Sequence, residues 1–265
     1  MKLIAEIGWN HLGDMSLAKN MIESAFYGGA DYAKFQTWSV SRLKAGEWDH
    51  DGRRELYNKS ELTKDQHIEL INHCNMIGIN FLSSVFSIKD AELLKSLNCE
   101  SVKIPSFESR NVDLIKYCND NFKTVFMSTG TSSLEEVKES LLLFNKCKVY
   151  LMHCVSVYPC SYEIANLPKM FELQKIHNLV GYSDHIEGIE SAKIAIGFGA
   201  QVIEKHFTID KELPGRDNKF AILPENLKEL KTFIVNREKM LIHHGSSYLE
   251  LESNARKNYS GRFNA

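Results

Sequence analysis

The chain has 265 residues and a formal net charge of −2, and 43% of its residues are hydrophobic. This length suits one barrel-sized domain and is tight for two, while the apolar content can build a substantial core. A net charge so close to zero gives no electrostatic reason to expect nucleic acid or an anionic membrane as a partner.

The six cysteines form no CxxC pair, which excludes the simplest redox and zinc motifs. The N-terminus MKLIAEIG is too short and too polar for a signal peptide. No apolar run approaches the ~18 residues that a membrane span requires. We therefore expect a cytoplasmic location.

Apolar runs of strand length alternate with stretches of helical periodicity along the whole chain. The predicted strands are Leu3–Ile7, Tyr32–Phe35, Asn80–Leu82, Ser101–Ile104, Thr124–Met127, Lys148–Met152, Leu179–Tyr182 and Val202–His206. The predicted helices are Leu17–Tyr27, Lys64–Ile77, Lys89–Leu97, Val112–Asn119, Leu134–Phe144, Leu167–Ile176, Glu187–Gly199 and Pro224–Leu241. Eight strands, each followed by a helix, favour an α/β fold of the (β/α)₈ TIM-barrel type, with a doubly wound open sheet as the weaker alternative.

We expect residues 1–245 to form this barrel and residues 246–265 to form a C-terminal tail. The one long connection, Thr37 to Leu62, is polar and charged. Long connections in compact domains tend to be functional, so we expect a loop that lies over the barrel mouth.

Two histidines follow neighbouring apolar strands. His185 ends the motif GYSDH and His206 ends the motif IEKH, with one predicted helix between them. In a parallel barrel such strand ends line the active-site face. Imidazole nitrogens suit Mn, Fe, Zn or Co, so the pair is a candidate site for one divalent ion.

Lysines and serines occupy other strand ends. Lys34 and Lys103 lie within predicted strands, where an unpaired ammonium is costly to bury. Either lysine alone could be a structural ion-pair partner, for example Lys34 with Glu6. Together with serines at three other strand ends, they favour a phosphate or carboxylate ligand.

Eight blocks of the sequence, taken in order, resemble the sialic acid synthase family. They are AEIGWNHLGD, GGADYAKFQT, VKIPSFE, MSTGT, HCVSVYP, GYSDH, GAQVIEKHFT and PGRDNKF, and they extend from Ala5 to about Phe220. Enzymes of that family condense phosphoenolpyruvate with a hexosamine-type aldose to form nonulosonic acids. The resemblance implies the same barrel and a divalent metal, Mn or Mg, on His185 and His206.

The resemblance also assigns roles to individual residues. Lys103, Ser106, Ser128 and Ser183 match contacts to the phosphate of phosphoenolpyruvate, and Lys34 matches a position beside its carboxylate. Positions that face the sugar are matched by Gln36, Ser84, Tyr158 and Asp217, with Ser156 standing where some relatives have asparagine. Glu6 and Glu108 match acidic residues near the reacting carbons, and the sequence does not choose between them.

Relatives typically continue into a small antifreeze-like domain that supplies an arginine to the partner's sugar site, whereas this sequence ends at Ala265. We therefore expect a homo-oligomer, or a separate protein that supplies the missing domain. We also expect Tyr158, Arg216, Asp217 and the 37–62 connection to form the sugar wall, with an acceptor preference away from simple N-acetylmannosamine. Two alternatives stay open: a metal-dependent pyruvate aldolase on the same barrel, and a non-catalytic partner subunit of a synthase.

Overall fold

The structure, a computed structural model that describes residues 1–263, contains a closed barrel of eight parallel strands in which each strand pairs with its neighbours in chain order. The strands are β1 (Lys2–Gly8), β2 (Tyr32–Thr37), β3 (Asn80–Val85), β4 (Ser101–Ile104), β5 (Thr124–Ser128), β6 (Lys148–His153), β7 (Val180–Asp184) and β8 (Val202–His206). The TIM-barrel prediction is confirmed. Strands β1 and β8 close the barrel with Glu6 opposite His206.

Helices surround the barrel. They are α1 (Met15–Tyr27), α2 (Arg53–Ser60), α3 (Lys64–Ile77), α4 (Ile88–Ser96), α5 (Val112–Asn121), α6 (Leu134–Leu141), α7 (Lys169–Ile176), α8 (Glu190–Gly197), α9 (Pro224–Met240) and α10 (Ser253–Tyr259). Helix α3 begins with a capping box in which Thr63 and Gln66 satisfy each other's backbone N–H groups. It ends at Gly78, whose φ of 91° suits a residue without a side chain.

The 37–62 connection is more ordered than the predicted loop. It contains helix α2 and two short 3₁₀ turns, Val40–Arg42 and Glu47–Asp49. Its polar composition hides this order, because polar contacts within the segment hold part of it together: the Glu61 carboxylate accepts the Val40 N–H at 3.0 Å.

The inside of the barrel has two layers that follow from period-two alternation along each strand. The lower layer is apolar and includes Ile4, Tyr32, Leu82, Phe126, Tyr150 and Val202, and Met152 packs on it from the level above, opposite Ser128. Two residues further along the same strands, the upper layer is polar and includes Glu6, Lys34, Ser84, Ser128 and Glu204, all buried. The larger apolar core lies between the strands and the surrounding helices.

The C-terminal segment lies outside this core, since residues 241–263 are all exposed. It contains helix α10 and a short 3₁₀ turn before it. The division at residue 245 stays a prediction. None of the helices within residues 1–263 is long and apolar enough to cross a membrane.

Two glycines give a matched test of this packing. A Cβ on Gly181, in β7, would lie 2.6 Å from both the Met152 Sδ and the Val202 backbone oxygen, whereas a Cβ on Gly197, in α8, would meet nothing within 4 Å. We predict that Gly181→Ala lowers the free energy of unfolding by about 1–3 kcal/mol through overpacking. Gly197→Ala should raise it by about 0.5–1 kcal/mol, because alanine loses less backbone entropy in a helix. Urea denaturation measures both, and equal effects would contradict this account.

Candidate active site

The carboxyl ends of all eight strands open into one cavity of about 1120 Å³. All but two of the predicted site residues line it. The lining set is Glu6, Lys34, Gln36, Ser84, Lys103, Ser106, Ser128, Tyr158, Ser183, His185, His206 and Asp217. These residues are far apart in the chain and meet because the barrel closes.

Four charged side chains form a buried network at the floor of the cavity. Lys34 Nζ lies 2.8 Å from Glu6 Oε2 and 3.5 Å from Glu204 Oε1. Lys103 Nζ lies 2.8 Å from Glu204 Oε2. Each of the four residues is at most 5% exposed. We call Glu6, Lys34, Lys103 and Glu204 the charge quartet; its formal charge is zero when all four groups are ionised.

The quartet moves the pKa values of its acids in opposite directions. Burial raises the pKa of Glu6 to about 6, and the nearby charge of Glu204 adds to the rise while Lys34 opposes it. Burial also favours the neutral form of Glu204, but the charges of Lys103 and Lys34 outweigh it and hold the pKa of Glu204 well below its usual range. One acid is therefore firmly ionised, and the other can exchange a proton near neutral pH.

Glu204 is the site residue that sequence reasoning missed. It accepts hydrogen bonds from Lys103 at 2.8 Å and from the Ser183 hydroxyl at 2.9 Å. It lies two residues before His206 on β8, so period-two alternation places both on the inner face. That signal was present in the motif IEKH.

The two predicted metal-binding histidines lie side by side at the mouth, with ring centroids 5.6 Å apart. Burial lowers the pKa of His185 to about 4 and, with the nearby His185 and Lys34 charges, lowers the pKa of His206 well below its usual range. Both imidazoles are thus neutral at physiological pH and keep a lone pair. His185 Nδ1 lies 2.6 Å from the Val155 carbonyl oxygen, which can only accept, so the lone pair is on Nε2.

A second ion pair lies on the outer face of the same strand ends. Lys205 Nζ is 3.1 Å from Asp184 Oδ2, and both side chains are essentially fully buried. Asp184 also accepts the Ile186 N–H at 2.9 Å and the Ser191 hydroxyl at 2.6 Å. Because Asp184 and Lys205 directly precede the two histidines in the chain, this network fixes the backbone from which the histidines project.

Small polar side chains pack closely around Gly130, in the turn after β5. A Cβ on Gly130 would come within 2.6 Å of the Ser156 hydroxyl, 2.7 Å of the Ser106 hydroxyl and 2.9 Å of the Cys154 thiol. A glycine at this position therefore lets the backbone approach these groups closely. The Ser156 hydroxyl is buried and has no hydrogen-bond partner among residues 1–263.

Two predicted site residues do not line the cavity. Glu108 accepts a hydrogen bond from the Asn111 side chain at 2.7 Å, next to the start of α5, and the structure does not bring it to the quartet. Glu108 was predicted to lie near the reacting carbons, in the same motif as Lys103 and Ser106. The chain forms a short 3₁₀ helix at Ser106–Glu108, which directs the glutamate away from the cavity. Ser156 lies beside Gly130 rather than on the cavity wall.

An aromatic wall forms the other side of the cavity. Trp9 stacks on Tyr57 with centroids 5.0 Å apart, and Trp38 makes edge contacts with Trp9, Tyr57 and Phe86. Phe86 in turn stacks on Phe107 at 5.7 Å. The wall comes from the turns after β1 to β4 and from α2, so the 37–62 connection does contribute to the cavity.

At the edge of this wall, Trp9 Nε1 donates a hydrogen bond to Asp217 Oδ2 at 2.6 Å. Burial raises the pKa of Asp217 to about 6, although the Trp9 hydrogen bond and the Arg216 charge oppose the rise. Asp217 Oδ2 also lies 3.5 Å from His206 Nδ1.

Comparison with known proteins places this geometry in a family. The model of the NeuB family matches residues 21–245. The chain is 38% identical to an N,N'-diacetyllegionaminic acid synthase of Campylobacter jejuni, over 90% of this chain and 77% of that protein. It is 34% identical to a pseudaminic acid synthase of Helicobacter pylori, over 83% of this chain and 69% of that protein. The crystal structure of the N-acetylneuraminic acid synthetase of Leptospira borgpetersenii, in complex with citrate, superposes with a TM-score of 0.87 at 30% identity, covering 99% of this chain and 92% of that one.

The charge quartet makes a prediction about the proton on Glu6. Glu204→Gln removes a negative charge that raises the pKa of Glu6, so this pKa should fall from about 6. Lys34→Met removes a positive charge that lowers it, so the same pKa should rise. A carbon-detected NMR titration of the glutamate carboxyl groups measures both changes. Shifts in the same direction in the two variants would contradict the assigned electrostatics.

Proposed function

The chain belongs to the NeuB family, and on that basis we propose that it condenses phosphoenolpyruvate with an aldose to form a nonulosonic acid, with release of phosphate. The observation that carries the proposal is the pair of buried lysines on β2 and β4, beside hydroxyl groups and two neutral histidines in one cavity. The names of the relatives support it, because they are synthases of legionaminic, pseudaminic and neuraminic acids.

Phosphoenolpyruvate is held on the side of the cavity formed by β4, β5 and β7. Lys103, Ser106, Ser128 and Ser183 bind its phosphate. Lys34 lies towards its carboxylate, and the Lys34 ammonium also donates to the Ser84 hydroxyl at 3.0 Å. The two ammonium groups offset the charge of the substrate, since charge-assisted hydrogen bonds to oxyanions are stronger than neutral ones.

In the reaction, C3 of phosphoenolpyruvate bonds to the aldehyde carbon, water adds to C2, and the C2–O bond to phosphate breaks. Glu6 is the carboxylate in position to take a proton from that water, because it lies in the quartet and its pKa is raised to about 6. Gln36 donates to Glu6 Oε1 at 2.7 Å and fixes its orientation. Glu204 stays ionised, and its charge raises the pKa of Lys34 and opposes the burial that lowers the pKa of Lys103.

His185 and His206 would hold a divalent metal. They fit this role, because both imidazoles are neutral and His206 Nδ1 is buried without a hydrogen-bond partner among residues 1–263. Within the same residues, no group of three or more His, Cys, Asp or Glu side chains is arranged for a metal, so substrate or water would complete the coordination. Such a metal, Mn or Mg, supplies a Lewis acid that polarises the aldehyde.

The acceptor sugar is held by Gln36, Tyr158 and Asp217 against the aromatic wall. The wall is aromatic, and among the described residues Asp217 and Asp90, which pairs with Arg42, are the acidic cavity-lining groups near it. An aldose with two acetamido groups would bury more apolar surface against this wall than N-acetylmannosamine, which has one. We therefore propose an acceptor other than N-acetylmannosamine, in line with the diacetylated products named for two relatives.

The test of the proposed function is an incubation of the protein with Mn, phosphoenolpyruvate and a panel of aldoses that includes N-acetylmannosamine and a diacetamido hexose. The expected result is one phosphate released for each product molecule whose mass is that of a nonulosonic acid. Turnover with pyruvate in place of phosphoenolpyruvate would favour an aldolase, and no turnover with any aldose would favour a non-catalytic subunit. Robust turnover of N-acetylmannosamine would contradict the acceptor assignment.

We predict that Lys103→Met raises the Michaelis constant for phosphoenolpyruvate at least tenfold, equivalent to about 1.4 kcal/mol of binding free energy. The matched control is Lys2→Met, which removes a lysine at the opposite end of the barrel, where its Nζ reaches the Tyr32 hydroxyl at 3.3 Å. Steady-state kinetics measure both variants. If Lys103→Met changes only the constant for the sugar, the lysine is misassigned.

We also predict that His185→Ala and His206→Ala each lose bound Mn, measured by elemental analysis after equilibrium dialysis. His177→Ala is the control. His177 Nε2 lies 2.9 Å from the Val149 carbonyl oxygen near the start of β6, at the end of the barrel opposite the cavity. Wild-type metal stoichiometry in either site variant would refute the metal assignment, whatever the activity.

A further inference from the structure

The carboxylate of Asp217 is held by a side chain from the other end of the chain. Asp217 follows β8, and its Oδ2 receives the Trp9 indole N–H at 2.6 Å. The same oxygen lies 3.5 Å from His206 Nδ1. A hydrogen bond to a charged acceptor is worth about 1.5–3 kcal/mol, enough to select one orientation of a short side chain.

Trp9 is itself held firmly. Its ring stacks on Tyr57, in α2, with centroids 5.0 Å apart and planes at 29°. It also makes an edge-to-face contact with Trp38, with ring centroids 6.2 Å apart. The next residue, Asn10, is buried and donates its side-chain amide to the Phe207 carbonyl oxygen at 2.9 Å, which fixes the turn after β1 against β8.

We propose that Trp9 is a positioning residue that holds Asp217 towards the acceptor sugar, and that the Trp9–Asp217 pair determines which aldose is accepted. The inference rests on the function proposed above and deepens it. The indole does two things: its N–H fixes the carboxylate that hydrogen-bonds the sugar, and its face extends the aromatic wall beside that carboxylate.

The position of the pair separates it from the β4 and β5 side of the proposed phosphoenolpyruvate site. Trp9 and Asp217 follow β1 and β8, whereas Lys103 lies on β4, Ser106 in the short 3₁₀ helix after it and Ser128 on β5, on the opposite side of the closed barrel. A change in the pair should therefore alter binding of one substrate and leave the other unaffected. A purely structural role for Trp9 would weaken both.

Trp9→Phe tests this, because it keeps an aromatic ring and removes the N–H. The expected result is a Michaelis constant for the aldose that rises about tenfold, or about 1.4 kcal/mol, with an unchanged constant for phosphoenolpyruvate. The double variant Trp9→Phe/Asp217→Ala should be little worse than Asp217→Ala alone. Each substitution removes the same hydrogen bond, so the second removal has no further effect.

Trp38→Phe is the matched control. It removes an indole from the same wall, but Trp38 Nε1 has no hydrogen-bond partner among residues 1–263. Its effect should add to that of Asp217→Ala. Equal rises in both Michaelis constants for Trp9→Phe, or additive effects of Trp9→Phe and Asp217→Ala, would overturn the inference.

The hydrogen bond has a readout that needs no turnover. The chain contains three tryptophans, so a proton–nitrogen correlation spectrum shows three indole N–H signals, and Trp9→Phe identifies one of them. Asp217→Ala should shift the Trp9 signal more than the other two. An unmoved Trp9 signal would overturn the inference even in an active enzyme. Conversely, a shifted signal in a protein that releases no phosphate would contradict the proposed function alone.

Discussion

The structure depends on keeping two lysines and two glutamates ionised inside a barrel whose lower half is apolar. Lone buried charges cost several kcal/mol each, and a buried ion pair is at best a weak source of stability. The quartet reduces the cost by giving each ammonium a carboxylate within 2.8 Å. A hydrophobic filling of the upper layer would cost less, and the anion binding proposed for Lys34 and Lys103 gives a reason for the charges.

The fold could be predicted from the sequence because the strands, buried on both faces, are short apolar runs, whereas apolar residues in the helices recur at helical spacing. The strand-end lysines, serines and histidines could be identified for the same reason, since alternation fixes which residues face inward. The errors arose where the backbone leaves that regular pattern. The short 3₁₀ helix after β4 carries Glu108 away, and helix α2 has too few apolar residues to be distinguished from a loop. Glu204 follows the same alternation, but the sequence of β8 alone does not show that its partners are lysines on β2 and β4.

Strand β8 illustrates how one segment serves both faces of the barrel. Glu204 and His206 point inward to the quartet and the histidine pair, while Lys205 points outward to Asp184. The outward pair is as deeply buried as the inward one and fastens the ends of β7 and β8 to the start of α8 through Ser191. The positions of the histidines are therefore set by contacts on the side of the sheet that no substrate reaches.

The two sides of the cavity rest on different kinds of structure. Most of the groups proposed for phosphoenolpyruvate project from strands, where backbone pairing on both sides leaves little freedom; Ser106, in the short 3₁₀ helix after β4, is the exception. Most of the groups proposed for the sugar lie outside the strands: the aromatic wall comes from the turns after β1 to β4 and from α2, and Tyr158 and Asp217 follow β6 and β8. Aromatic contacts and the Trp9–Asp217 hydrogen bond join the wall to the loop after β8. Substitutions in those turns can reshape the acceptor wall without disturbing the charged floor. One barrel can therefore keep a single carbon–carbon bond-forming reaction while it changes the aldose that it accepts.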